Sequence, residues 1–365
     1  MSTLGTMQGT AAMTEVAGHA VVEHYGDPAA EYAALRTTAL LVDRSQRARM
    51  RVTGPKAAEM ITGLVTNDVQ GLSPGQGLYA AALTPKGKIV ADVRIFAASA
   101  GSPVVVGPSA VDALLVDVPP RAAVGWTEMV RRYINPRLAP YQDATESVRD
   151  VGVFGPQARR LVAEATGVNA AVLGTLPPYG HLTGDVDGVA VTVAHVPDLD
   201  LEGYEVFVPA DTRDALWARL AGAGAIPGGL AAWEIARVEA GRPEWGLDVD
   251  DATIPQEANF DDLHAISYTK GCYVGQETVA RVHFRGHVNR HLRGLRLATA
   301  ELPLPRTVLV DATGKPVGDV RSTALSPRLG PIALGMVRRE VAFGDTVTAR
   351  WEGGDVSATV VGLPF

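Results

Sequence analysis

The spacing of apolar and polar positions changes character along the chain. In "GGLAAWEIARVEAGRPEWGLDVD" (228–250) apolar residues keep a helical period, with Glu234, Arg237 and Glu239 set among them, and Gly241-Arg242-Pro243 stops the helix. After about residue 292 that period disappears. "LRGLRLATA", "RTVLVDATGKPVGDVRSTAL", "LGPIALGMVRRE" and "DTVTARWEGGDVSATVVGLPF" are short runs rich in Val, Thr and Leu, broken by Gly, Pro and Asp turns. They predict a small all-β module, a barrel.

Upstream, two patterns recur in the same order. "RVTGPKAAEM", from Arg51, and "GVFGPQARRL", from Gly152, each read as a strand running into Gly-Pro and then a helix. "PVVVGPSAVDALL" (103–115) and "YEVFVPADTRDALWARL" (204–220) each read as an apolar strand, a proline, a capping Ser or Asp, and a helix. The repetition predicts two related α+β units, each an antiparallel sheet with helices on one face. The expected division is a flexible terminus over 1–20, a first unit over 21–145, a second over 146–291, and the barrel over 292–365.

Composition narrows the function. The chain has 365 residues, 47% hydrophobic and 20% charged, with a formal net charge of −7. That acidity argues against a dedicated DNA or RNA binder, so any anion site must be local. No stretch of about 18 uninterrupted apolar residues predicts a membrane span. A single cysteine excludes an intramolecular disulfide, and without a signal-like start a cytoplasmic protein is expected. Neither a Gly-x-Gly-x-x-Gly turn nor a Walker-type phosphate loop is present, which disfavours nicotinamide and nucleoside triphosphate chemistry.

The cysteine lies in "SYTKGCYVGQETVARVHFRGH" (267–287), at the junction between the second unit and the barrel. Lys270 precedes Cys272 by two positions and Arg281 follows, and positive neighbours favour the thiolate. Cys272 is therefore either a working thiol or a small apolar residue. Arg281, Arg285, Arg290, Arg293 and Arg296, with no acid from 278 to 300, make a basic segment that could fork a carboxylate or phosphate. His283, His287 and His291 lack a carboxylate or thiolate at ligand spacing, so no metal site is expected. Asp92, in "KIVADVRIF", sits inside an apolar strand, where a carboxylate is used, hydrogen-bonded or turned to solvent. Glu205 begins another apolar strand beside Tyr204, and such a pair could grip the donor edge of a heterocycle. Arg237 is either a partner of Glu234 or a ligand clamp.

"IPQEAN", "KGCYVGQE" and "ARVHFRG", with "DRSQRARMRVTGP", "LVTNDVQGLSPGQGLYA" and "GLAAWEIARVEAGRPEWGLDVD", resemble blocks of the YgfZ-type folate-binding proteins, relatives of the aminomethyltransferase (T protein) of the glycine cleavage system. The resemblance implies two ferredoxin-like units and a C-terminal β-barrel in a ring, with tetrahydrofolate in a central channel. It places Glu205 where the transferases hold the pterin, matches Arg237 to their "LRLEAG" arginine, and sets Asp92 on the second of two adjacent aspartates, with Ala91 replacing the first. It further implies an accessory role in iron–sulfur cluster assembly or repair, supporting tRNA-modifying enzymes, with Cys272 as an exchange thiol. The alternative it carries is aminomethyl transfer from a lipoyl carrier protein to tetrahydrofolate.

Overall fold

The computed structural model describes residues 11–98 and 113–365. Gly77–Leu83, Ile89–Ala97, Ala113–Val118, Ala48–Thr53 and Tyr141–Asp143 hydrogen-bond in that order into an antiparallel sheet. A second sheet runs His181–Val186, Val189–His195, Gly203–Pro209, Val148–Phe154, Leu40–Asp43 and Ile226–Pro227. Its last pairing is parallel, unlike the all-antiparallel sheet expected, because Ile226–Pro227 fills the edge left by Leu40–Leu41. Leu40–Asp43 itself comes from the stretch assigned to the first unit, yet pairs with Val148–Phe154 of the second.

Strand alternation gives each sheet two faces. The outer face of the first packs Val52, Val93, Ile95 and Val116 under helix Ala123–Tyr133, whose Trp126 is buried. The outer face of the second packs Val151, Val153, Val206 and Tyr204 under helices Ala158–Thr166 and Arg213–Gly222. The inner faces meet in one shared cluster, where Tyr79, Phe96 and Leu115 join Val42, Phe154 and Phe207, with Trp233 of helix Leu230–Glu239.

Two expectations are corrected here. Residues 103–112 of the strand–proline–helix pattern lie outside the described residues, and Ala113–Leu115, expected to be helical, open strand Ala113–Val118. The strand buries every residue, as "ALLVDV" with no polar stripe should, and leads through Pro119-Pro120 into helix Ala123–Tyr133. The true counterpart of 204–220 is therefore 113–133, marked by Pro119-Pro120 and not by Pro108. The expected flexible terminus also reaches too far. Ala12–Val16 and His19–His24 form a hairpin whose two-residue turn, Ala17-Gly18, has positive φ at both positions, as a primed turn requires.

The C-terminal strands Arg290–Leu297, Gly330–Arg338, Pro316–Ser326, Val308–Val310, Thr346–Trp351 and Gly354–Val361 close into a barrel, the first pairing with the last. Leu295, Leu309, Val320, Val347 and Val356 fill it. The barrel docks on helix Leu230–Glu239 through Leu292, Leu334 and Met336 packed on Val238.

Candidate functional site

Period-two alternation also sorts the charges. In Ile89–Ala97, Ala91, Val93 and Ile95 face the helices, which turns Asp92 and Arg94 to the inner face with Phe96. By the same parity Asp117, Asp150 and Glu205 point inward from their strands. A Cβ on Gly152, which pairs with Glu205 across the ladder, would lie 2.6 Å from the Phe154 ring, so glycine is needed where the faces close.

Arg94 is the hub. Its Nε and one terminal nitrogen donate to Asp117 Oδ2 at 2.9 and 2.7 Å, and Arg47 Nε donates to the same oxygen at 2.6 Å. Burial raises the Asp117 pKa, but Arg47, Arg94 and Arg49 outweigh it and hold the carboxyl at about 2. Arg94 also lies 2.7 Å from Glu205 Oε2 and 3.4 Å from Asp198 Oδ2. The Glu205 contact lacks hydrogen-bond alignment, so both carboxylate oxygens of this fully buried residue have no donor among the described residues. Asp150, beside it, is held well above the usual carboxylate range by burial and then by the Glu205 charge.

Asp92 occupies the other part of this face. Tyr79 Oη donates to its Oδ2 at 3.1 Å and the Trp245 backbone N–H to its Oδ1 at 3.3 Å. Burial pushes this carboxyl up to about 6, with Arg47 pulling against it. Tyr79 lies under Arg242, whose guanidinium carbon is 3.9 Å from the ring centroid, and Arg242 donates to Tyr179 Oη at 2.8 Å. A cavity of about 350 Å³ opens on Tyr79, Tyr179, Arg242, Leu263 and His264. Asp92 is thus a buried carboxyl poised to change protonation near neutral pH, one tyrosine away from a cavity.

The remaining expected residues fall in different places. Tyr204 is turned away from Glu205, as adjacent strand residues must be, and its hydroxyl donates to Glu202 Oε1 at 3.0 Å on the helix-covered face. The expected Tyr204–Glu205 grip is not formed. Arg237 is buried in a brace: it donates to Glu234 at 2.9 Å, to Asp248 and the Arg242 carbonyl at 2.6 Å each, and to Ser322 of the barrel at 2.8 Å. It fixes Glu234 and ties helix to barrel. Cys272 is exposed, in the loop before helix Gln276–Arg285, and Arg281 is exposed on that helix. Lys270 does not serve the thiol as expected, because its amine donates to the Thr62 and Val65 carbonyls and burial lowers its pKa to about 8. His283 stacks on Tyr268, with ring centroids 3.6 Å apart. Among the described residues no helix is long and apolar enough to cross a membrane.

Arg94, Asp117, Asp150 and Asp198, the centre of this network, were not anticipated. For Asp117 and Asp150 the signal was present in "LLVDVP" and "VRDVGVF", where a charge stands at the same parity as the inward apolar residues.

Comparisons with known proteins agree with this architecture. The family model for the GCVT N-terminal domain matches residues 5–267, and that for the glycine cleavage T-protein C-terminal barrel domain matches residues 290–365. An aminomethyltransferase from Rubrobacter xylanophilus is 31% identical over 360 residues, covering 97% of this chain and 90% of the relative. One from Streptomyces coelicolor is 30% identical over 365 residues, covering 97% and 94%. The crystal structure of glycine cleavage system aminomethyltransferase T from Bartonella henselae superposes with a TM-score of 0.84 at 23% identity, covering 98% of this chain and 94% of that one, a likeness of fold. These relatives carry the name aminomethyltransferase. The chain belongs to the glycine cleavage T-protein family.

Proposed function

We propose that the protein is a tetrahydrofolate-dependent one-carbon transferase, with aminomethyl transfer from a lipoyl carrier protein as its reaction. The observation that carries this reading is Asp92, a buried carboxyl raised to about 6 and held by Tyr79 and the Trp245 amide beside a cavity. The fit to folate rests on Glu205, whose two fully buried oxygens lack aligned donors and suit a ring edge with paired N–H groups. Tetrahydrofolate, when bound, supplies the nitrogens that accept the carbon unit. The chain's own groups do the rest. Asp92 takes a proton on Oδ2 or releases one, and its poise near neutrality suits both directions. Arg94, anchored twice by Asp117, balances the Glu205 charge without using up its lone pairs. Arg237 acts as a positioning residue through Glu234.

Purified protein supplied with an aminomethyl-loaded lipoyl carrier and tetrahydrofolate should form methylene-tetrahydrofolate, and Asp92→Asn should lower kcat by about 10²–10⁴. Absence of product with the wild-type protein sinks the reading.

A second reading keeps the YgfZ-type accessory role in iron–sulfur assembly, with Cys272 as the exchange thiol. The exposure of that thiol favours it. In a strain lacking the protein, Cys272→Ala should then fail to restore iron–sulfur enzyme activity, whereas full rescue by the alanine variant removes the thiol from the account.

A further inference from the structure

Arg44 stands apart from the other inner arginines. It is 1% exposed, and its Nε donates to nothing among the described residues. Its nearest acid, Glu205, is 3.8 Å away and already shared with Arg94, and its guanidinium stacks on Trp233, 3.6 Å from the ring centroid. Burial, and then the neighbouring Arg47 charge, lower its pKa. A buried guanidinium with unused donors calls for an acceptor that the chain does not provide.

A cavity of about 150 Å³ lies on this group, lined by Arg44, Arg47, Gln46, Arg121, Glu234 and Glu244. Arg121 donates to Glu244 at 2.8 Å and Arg237 to Glu234 at 2.9 Å, so both acids in the wall have their own cations. Arg47 commits only its Nε, to Asp117, which Arg94 already neutralises. The Arg44 fork and the terminal nitrogens of Arg47 are therefore the open donors of the cavity among the described residues.

We propose that Arg44 and Arg47 form a binding site for the carboxylate of a small amino acid, its ammonium turned toward the Glu234 and Glu244 oxygens. The planar guanidinium fork matches a carboxylate in geometry and charge. The volume is below the ~300–1,000 Å³ of drug-sized ligand pockets and selects a compact ligand. The aminomethyl group of the transfer reading carries no carboxylate, so this is a ligand site apart from that reaction, and it stands without folate.

The test is therefore run on the full chain without folate, in a chloride buffer of low ionic strength, with glycine, acetate and methylamine as probes. Stacking of Arg44 on Trp233 supplies a fluorescence signal, with Trp233→Phe as its control. Expected are saturable glycine binding, acetate binding at least tenfold weaker, and no methylamine binding. Arg44→Leu should lose at least tenfold in glycine affinity, together with the glycine-dependent rise in Tm that ligation of the folded state confers. Arg44→Lys, which keeps the charge without the fork, should weaken binding and guards against a leucine variant that fails to fold. No saturable glycine binding, acetate binding as tight as glycine, or unchanged affinity in both Arg44 variants overturns the proposal. Failure of the transfer assay alone leaves this result where it is.

Discussion

Asp92 and Asp117 lie on the inner face of one sheet and are perturbed in opposite directions, because burial acts on both but arginines bond directly to only one. Asp117 collects Arg47, Arg94 and Arg49, whereas Asp92 has a tyrosine hydroxyl and a backbone amide as its bonded partners. A folded-state pKa raised from 3.8 to about 6 means that the native protein holds this proton more tightly than the unfolded chain. The stability it contributes is present below pH ~4 and is lost as pH rises through about 6. The shift corresponds to about 3 kcal/mol in order of magnitude. Urea denaturation at pH 5 and pH 8 should therefore show a loss on raising the pH that is smaller in Asp92→Asn, and an identical pH response in the two proteins would contradict the assignment. Asp92 was legible because a lone acid in an apolar strand demands an explanation. Arg94, two residues on, was not, since an arginine in a strand reads as solvent-facing until its partners are known. Those partners lie far along the chain, Asp117 and Glu205 on other strands and Asp198 in the turn before Gly203–Pro209.

At the scale of elements, local signals gave reliable types and less reliable places. The helix over Leu230–Glu239 and the C-terminal strands follow from period and turn chemistry confined to a few residues. The strand at Ala113–Val118 falls where a helix is expected, because two prolines, Pro108 and Pro119-Pro120, flank the stretch and only the second ends the strand. The first hairpin was missed for a similar reason. Its turn, Ala17-Gly18, carries a weaker signal than Asn-Gly, and only Val16 and Val21 are buried along its two strands. That hairpin is not peripheral, since Val16 lines the Arg44 cavity. The loop that carries Cys272 is held by a backbone condition the sequence did hint at. Gly275 has a φ of +81°, and a Cβ there would lie 2.5 Å from the Thr84 carbonyl, so the loop is seated against the turn that precedes Ile89–Ala97.

Across the whole molecule, two sheets turn charged inner faces toward each other while helices and a barrel close the outside. The repeat foretold two such sheets, and the barrel followed from the loss of helical period. What no local pattern could foretell is that Leu40–Asp43 crosses into the second sheet, or that Arg44, Arg47, Arg49 and Arg94 would meet Asp117, Asp150 and Glu205 between the faces, because both depend on which strands become neighbours. On the proposed function this enclosed face receives a reduced folate on Glu205. The most direct measurement is calorimetric titration of tetrahydrofolate into the wild-type protein, Glu205→Gln and Cys272→Ala, with each variant's thermal transition recorded alongside. The account predicts saturable binding to wild type, at least tenfold weaker binding to a folded Glu205→Gln, and unchanged binding to Cys272→Ala. No binding to the wild-type protein, or equal binding to Glu205→Gln, would contradict it.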